Sequence, residues 1–176
     1  NAIASQLSLD DIANVAAFFA AQPGAAGTAK SALLPNLAKT SVGFPEGYRN
    51  ETQVVITVLG ADQTNPYDVI AINAASASLM LTGLPFEGPI GAVRLAYSQD
   101  GEWIPHPTYE EQDESSFQIV VAGREVNGEI AIMMVEASGT EKAWTYYENG
   151  APKVTEEVIA GGLEACKVWI GESLAL

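Results

Sequence analysis

The side chains that could do chemistry lie between residues 106 and 118. His106, the only histidine of the chain, stands between two prolines, and Ser115 and Ser116 follow an acidic run at 110–114. The run consists of Glu110, Glu111, Asp113 and Glu114. A histidine with a serine and a carboxylate in reach is typical of nucleophilic catalysis, whereas clustered carboxylates can hold a hard divalent cation. Both readings compete with a plain solvent-exposed loop.

Neither pattern has the spacing that such sites need. The chain has no G-x-S-x-G turn, which presents the serine nucleophile of an α/β-hydrolase. The acidic run has no central glycine and no suitably placed final glutamate, so it does not match an EF-hand loop. The glycine-rich stretch 83–91 matches neither a phosphate-binding nor a dinucleotide-binding motif. We therefore expect a surface histidine and a solvated acidic loop.

Composition excludes several other classes of protein. The single cysteine, Cys166, rules out an internal disulfide and argues against a zinc cluster. Apolar neighbours in the sequence, such as Trp169 and Ile170, predict a buried and unreactive thiol. No apolar run reaches the roughly 18 residues that span a bilayer, so we expect no membrane association.

The charge argues against nucleic-acid binding by the chain alone. Eight basic residues stand against 22 acidic ones, which gives a formal net charge of −14. A surface of that sign repels a phosphate backbone. The basic residues never cluster; they are Lys30, Lys39, Arg49, Arg94, Arg124, Lys142, Lys153 and Lys167.

Residues 1–43 differ in character from the rest and are predicted as a separate segment. Ser8 is a suitable helix cap, and apolar residues recur at helical spacing from Ile12 to Phe19. Pro23 and the glycine after it end this helix. The alanine-rich stretch that follows indicates a linker or a loosely packed helical return.

From Phe44 onward the pattern alternates between strand and helix. Residues 53–59 form a continuous apolar, β-branched run, which predicts a strand covered on both faces. A helix is expected at 69–82, with Asp68 as its cap and Gly83 as its stop. Because this helix is apolar nearly all round, it should lie inside the domain or at a subunit interface.

Two hairpins follow this helix. Their turns are predicted at Asp100-Gly101 and Asn127-Gly128, dipeptides that tolerate positive φ. The flanking strands are expected at 90–97, 102–106, 117–126 and 129–137.

A final helix is predicted at 156–172, capped by Thr155. Its inner face should carry Val158, Gly162, Ala165, Cys166 and Trp169. The order of elements predicts an α/β (α+β) domain at 44–176, with helices packed on a mixed or antiparallel sheet, after the helical segment 1–43.

Four ordered runs carry a resemblance to a known family. They are FPEGYRNETQVVITVL at 44–59, YDVIAINAASASLMLTGLPFEGPIGAVRL at 67–95, FQIVVAG at 117–123 and EIAIMMVEA at 129–137. Together they resemble the later part of the first RNase PH-like core domain of polynucleotide phosphorylase, over residues 44–172. The resemblance implies an RNase PH-like domain whose earlier strands are missing. An open sheet edge invites pairing, so we expect a homo-oligomer.

The same resemblance locates where metal-binding carboxylates would lie. The catalytic core domain of the family holds Mg²⁺ or Mn²⁺ with three carboxylates shortly before an aliphatic-Ala-Gly strand end. Matching that strand end to Val121-Ala122-Gly123 places Glu110, Ser116 and Gln118 at the three positions. A hydroxyl and an amide cannot replace two carboxylates. We therefore expect no catalytic residues, no metal site and no cofactor in this chain, although the parent family uses Mg²⁺.

RNA contacts are expected only at Arg49 and Asn50. These two residues lie in the FPEGYRNE run, next to the family's RNA-gripping region, which is itself absent. Arg49 could instead pair with Glu51 or with a backbone carbonyl.

The segment LSLDDIANVAAFFAAQPG, at 7–24, resembles the C-terminal helix of a small c-type cytochrome, and it also fits a generic amphipathic helix. Haem binding is not expected, because no Cys-x-x-Cys-His motif occurs and no methionine precedes Met80. The join of two dissimilar segments indicates a chimera.

The sequence therefore favours a non-catalytic, self-associating fragment or chimera of the first core domain. Its parent enzyme degrades RNA phosphorolytically from 3′ to 5′ in the cytoplasm. One alternative is an active polyribonucleotide nucleotidyltransferase whose site is completed by another subunit. A second alternative, an electron-transfer haem protein, lacks its ligands.

Overall fold

The computed structural model describes residues 44–45, 47–48 and 52–175. This part of the chain contains four helices and four strands. The helices are α1 (Asp68–Leu81), α2 (Tyr109–Asp113), α3 (Ala143–Glu148) and α4 (Glu156–Leu174). The strands are β1 (Gly91–Tyr97), β2 (Trp103–Pro105), β3 (Phe117–Val126) and β4 (Glu129–Gly139). The predicted mixed α/β fold is confirmed.

The four strands form one antiparallel sheet in the order β2-β1-β3-β4. Both predicted hairpins are present. Asn127 and Gly128 have φ values of 55° and 84°, the two positive angles that a tight β3–β4 turn requires. Gly101, at φ 87°, closes the β1–β2 hairpin. The local turn chemistry therefore sets the register of the sheet.

Alternate residues of the sheet face two separate apolar clusters. The first cluster lies under α1, and its buried members are Val54, Val69, Ile72, Ala75, Leu79, Phe86, Ile90, Ala92, Val120 and Ala122. The second cluster lies under α4, and its buried members are Val93, Leu95, Ile119, Val121, Cys166 and Ile170. Because β1 and β3 contribute to both clusters, these central strands read as continuous apolar runs in the sequence.

Two polar residues in the apolar helix α1 have a structural purpose. Asn73 accepts a hydrogen bond from the Ala92 N–H at 2.7 Å, and Ser76 accepts one from the Ile90 N–H at 2.6 Å. Ile90 lies just before β1, and β2 pairs with β1 only from Leu95 onward, so no strand lies beside Ile90 or Ala92 on that side. The side chains of Asn73 and Ser76 therefore satisfy backbone N–H groups that a neighbouring strand would otherwise pair with.

The predicted strand at 53–59 is wrong. No backbone hydrogen bond joins these residues to any other described residue. Val54 is buried in the first cluster, whereas Val55 and Leu59 are exposed. The β-branched run has strand propensity but no partner to pair with, and propensity alone does not make a sheet.

Smaller corrections concern the helix ends. Tyr67, not Asp68, is the N-cap of α1, and Asp68 is its first residue. Thr155 caps α4 as predicted, with its hydroxyl accepting from the Val158 N–H at 3.4 Å. Helix α3 was not predicted. The predicted helix and linker within 1–43 lie outside the described residues.

The second cluster explains the behaviour of the one cysteine. Cys166 is fully buried beside Ile170 on the inner side of α4. Burial raises the pKa of its thiol to about 12, so it stays protonated at neutral pH. The predicted burial of Cys166 is confirmed. Helix α4 is also not long and apolar enough to cross a bilayer, and the same holds for every other helix in the described part of the chain.

Adjacent glycines of α4 provide a matched test of this packing. A Cβ at Gly162 would lie 2.5 Å from the Trp103 ring, whereas a Cβ at Gly161 meets nothing within 4 Å. Gly162→Ala is expected to lower the free energy of unfolding by about 1–3 kcal/mol through overpacking. Gly161→Ala should raise it by roughly 0.5–1 kcal/mol, because alanine is the better helix former. Urea denaturation measures both; equal effects would contradict this placement of α4.

Candidate functional site

The acidic run forms a short helix rather than the predicted loop. Thr108 caps α2 with a capping box: its hydroxyl accepts from the Glu111 N–H at 3.2 Å, and its own N–H donates to the Glu111 carboxylate at 2.7 Å. The Thr108 N–H and, second, the Thr108 hydroxyl, which donates to the same carboxylate at 2.9 Å, hold the pKa of Glu111 below its ordinary value. The sequence carried this signal as Thr-x-x-Glu, a helix-start signature. Glu111 is therefore engaged in capping and is not a free ligand.

An arginine lies at the centre of the candidate site. Arg94 projects from β1 on the side of α1 and pairs with Asp68 in the first turn of that helix. Its Nη1 also donates to the Gln118 side-chain oxygen on β3 at 2.8 Å. Its Nε is buried and has no partner among the described residues. The guanidinium thus links a helix and two strands.

The three positions at which the resemblance predicts carboxylates do not form a metal site. Glu110 is exposed on α2. Ser116 is fully buried, and its hydroxyl donates to the Tyr97 carbonyl at 3.3 Å. Gln118 is held by Arg94, whose positive charge repels a cation at that point. Within residues 52–175, no group of three His, Cys, Asp or Glu side chains is placed to hold a metal ion. The residues present therefore do not fit Mg²⁺ or Mn²⁺.

A surface depression of about 340 Å³ lies beside this arginine. Its lining residues come from the start of α1 and the segment before it, from β1 and from the segment after β2: Asp62, Asn65, Pro66, Asp68, Val69, Ile70, Arg94, His106 and Pro107. Asp62 accepts from the Thr64 and Asn65 N–H groups at 2.8 Å, and these bonds lower its pKa, with Asn65 the larger cause. Two carboxylates thus face one paired guanidinium. The charge of the depression does not favour a phosphate group.

The histidine and the serines are not arranged for catalysis. His106 is exposed, with φ at 52°, and its ring meets the Trp169 ring edge-on at 5.5 Å. The Ser115 hydroxyl donates to the Glu111 carbonyl at 2.6 Å, away from any imidazole. A nucleophile needs a base within hydrogen-bond reach. The interpretation of His106 as a surface residue agrees with this geometry.

Sequence reasoning missed the link between Arg94 and Asp68. The signal was present, because a single charge inside the apolar run Ile-Gly-Ala-Val-Arg-Leu-Ala-Tyr has to find a partner when the strand is buried. The partner itself could not be read from the sequence, since Asp68 is 26 positions away. The predicted RNA contacts at Arg49 and Asn50 lie outside the described residues and stay predictions.

Removing one member of this ion pair should cost far more than removing an exposed one. Asp68→Asn leaves the half-buried Arg94 charge without a counterion, and we expect the free energy of unfolding to fall by about 1–3 kcal/mol. The control is Glu164→Gln, which breaks the exposed Glu164–Lys167 pair and should cost less than about 0.5 kcal/mol. Urea denaturation measures the free energy of unfolding of both variants. Equal losses in the two would contradict this role of Arg94.

The sequence was compared with protein-family models and with curated proteins. No protein-family model matches the chain. The chain is 56% identical over 128 residues to a polyribonucleotide nucleotidyltransferase of Acidothermus cellulolyticus, a match that covers 72% of this chain and 16% of that relative. The enzyme of the same name from Saccharopolyspora erythraea is 54% identical over 127 residues, covering 72% and 17%.

A polyribonucleotide nucleotidyltransferase of Bifidobacterium longum subsp. infantis is 54% identical over 129 residues, covering 72% of this chain and 14% of the relative. The chain thus spans about one sixth of the length of the curated relatives it matches. Polynucleotide phosphorylase is the other name of this enzyme, and the resemblance is confirmed: over 72% of its length, the chain is homologous to the polyribonucleotide nucleotidyltransferases.

Proposed function

We propose that this chain is a non-catalytic, self-associating unit related to the first core domain of polynucleotide phosphorylase. The parent activity is phosphorolytic 3′→5′ degradation of RNA with Mg²⁺ and inorganic phosphate, in the cytoplasm. In this proposal the chain keeps the scaffold of that domain and carries no active site of its own. The chimeric origin of residues 1–43 is part of the same proposal.

The observation that carries the proposal is the hydrogen bond between the Gln118 side chain and Arg94. Its side-chain oxygen accepts from Arg94, and that guanidinium is in turn neutralised by Asp68. A divalent cation at this point would need additional carboxylates and would meet a positive charge instead. The Gln118 side-chain oxygen is therefore already engaged inside the fold.

The distribution of basic residues supports the absence of RNA binding by the chain alone. Of the basic residues in the described part, Arg94 is paired with Asp68 and Lys167 with Glu164. Arg124 donates to the Glu87 carbonyl at 2.6 Å. The remaining two, Lys142 and Lys153, are isolated on the surface. A net charge of −14 surrounds them, and a polyanion does not bind such a surface. RNA contacts at Arg49 and Asn50 are proposed only in the context of a whole enzyme.

Self-association is supported by apolar surface left open around α1. Ile70 and Leu81 on this helix are exposed, and no charged residue occurs from Val69 to Phe86. An uncovered apolar helix face is typical of a subunit interface.

The purified chain is expected to release no ADP from oligo(A) in the presence of inorganic phosphate and Mg²⁺ or Mn²⁺. The physical reason is that Ser116 and Gln118 cannot bind the metal that phosphorolysis in the parent family requires. Release of ADP is measured by chromatography, with circular dichroism on the same sample to show that the protein is folded.

A bacterial polyribonucleotide nucleotidyltransferase, such as that of Acidothermus cellulolyticus, serves as the positive control. Phosphate-dependent ADP release that persists through further purification would overturn the proposal. It would favour instead an active enzyme whose site is completed between subunits.

A further inference from the structure

Two asparagines of the chain stand directly before a glycine, at Asn127-Gly128 and Asn149-Gly150. Both asparagines are exposed to solvent. An asparagine in this position can deamidate without an enzyme, because the glycine has no side chain to hinder attack of its backbone nitrogen on the amide. The attack needs a glycine N–H that is free of hydrogen bonds and a backbone that can turn toward the side chain. The two dipeptides differ in both respects.

The glycine of the second dipeptide is held by the end of α3. Gly150 donates its N–H to the Tyr147 carbonyl at 3.2 Å, and Ala151 donates to the Tyr146 carbonyl at 3.0 Å. With Gly150 at φ 96°, these two bonds form a Schellman motif, the usual closure of a helix C-terminus. Attack on the Asn149 amide therefore has to break this motif first.

The Asp100-Gly101 dipeptide is protected in a similar way. An aspartate before a glycine can close the same ring with loss of water. Gly101, however, donates its N–H to the Ser98 carbonyl at 3.2 Å, and a Cβ at this position would lie 3.1 Å from Pro152. The glycine is thus both hydrogen-bonded and packed against a neighbouring segment.

The glycine of the first dipeptide lies at the tip of the β3–β4 hairpin. The two strands pair up to Val126 and Glu129, which leaves Asn127 and Gly128 alone in the turn. Within residues 52–175 no carbonyl accepts from the Gly128 N–H, and a Cβ at Gly128 would meet nothing within 4 Å. The Asn127 side chain makes no hydrogen bond in that part of the chain either. The attacking nitrogen and the amide are therefore both open to water.

We propose that Asn127 is a modification site, at which the chain converts itself to isoaspartate without an enzyme. The Gly128 nitrogen loses its proton to water and bonds to the Asn127 Cγ, the amide nitrogen leaves as ammonia, and a succinimide ring results. A water molecule then opens this ring at either carbonyl and gives aspartate or isoaspartate. Water is consumed and ammonia is released, so the conversion needs no oxidant or reductant.

Isoaspartate changes the turn because its Cβ becomes part of the main chain. The two-residue turn of the hairpin matches the twist of β3 and β4, and an additional main-chain atom does not fit it. The product also adds a carboxylate between Glu125 and Glu129 in the sequence, and like charges repel at the end of the hairpin. Because β4 is the outer strand of the sheet, we expect its end at Glu129 to separate from β3.

The test follows both asparagines in the intact, folded chain during incubation at mildly alkaline pH. Trypsin then releases residues 125–142 and 143–153, and each peptide contains one of the two asparagines and no other asparagine or glutamine. Mass spectrometry measures the fraction of each peptide in which the amide has become an acid, with a sample taken before incubation as the blank. Asn127 should deamidate faster than Asn149.

The same chain in guanidinium chloride is the control, because it keeps both sequences and loses both turns. The ratio of the two rates, Asn127 over Asn149, should be at least about fivefold larger in the folded chain than in the denaturant, the factor expected from one hydrogen bond that has to open. Equal ratios in the two samples overturn the proposal. Deamidation in the denaturant without deamidation of Asn127 in the folded chain overturns it as well.

A second measurement separates the two products and tests their effect on the hairpin. Methylation by a protein isoaspartyl methyltransferase distinguishes isoaspartate from aspartate, and aspartate alone would contradict the proposal. Asn127→Gly keeps a dipeptide that suits this turn and removes the amide, whereas Asn149→Gly is the matched control. During incubation the free energy of unfolding should fall in the wild type and in Asn149→Gly, and it should stay constant in Asn127→Gly. Equal changes in all three contradict the effect on the hairpin.

Discussion

A single guanidinium sets the constraint on which the first face of the sheet depends. Arg94 lies in a strand that is otherwise buried, so its charge has to be neutralised inside the fold. Asp68 does this from the first turn of α1. Gln118 on β3 accepts a hydrogen bond from a second nitrogen of the same guanidinium. The triad fixes the start of the helix over the two central strands. The same guanidinium contacts Gln118, one of the three positions at which the resemblance predicts a metal-binding carboxylate.

The two faces of the sheet are covered to different extents. On one face, α4 packs its buried residues Cys166 and Ile170 against β1 and β3. On the other, α1 covers the centre, and Asn73 and Ser76 satisfy the strand edge that β2 leaves open. Beyond α1 lies the segment 53–59, which is packed on one side and unpaired along its backbone. Helix α1 itself carries no charged residue after Asp68.

Local signals allowed much of the fold to be predicted from the sequence. The Asn127-Gly128 and Asp100-Gly101 turns place both hairpins, and Thr155 marks the start of α4, because each depends on neighbouring residues only. The strand at 53–59 could not be predicted correctly, since its β-branched residues give propensity but not a partner.

The candidate site was less accessible to sequence reasoning. The resemblance predicts Ser116 and Gln118 at positions where the family's catalytic domain has carboxylates, and this stays a prediction. The role of Arg94 depends on Asp68, which is distant in the chain, and only the fold brings the two together. Helix α2 was within reach of prediction, because Thr108 and Glu111 have the spacing of a capping box.

The central claim is that the region around Gln118 excludes a divalent cation because Arg94 occupies it. Electron paramagnetic resonance of Mn²⁺, titrated with the folded chain at about 0.15 M salt to screen diffuse attraction to its acidic surface, tests this claim directly. The account predicts that the signal of free Mn²⁺ does not decrease in proportion to the protein. Saturable loss of one equivalent of free Mn²⁺ per chain would contradict it.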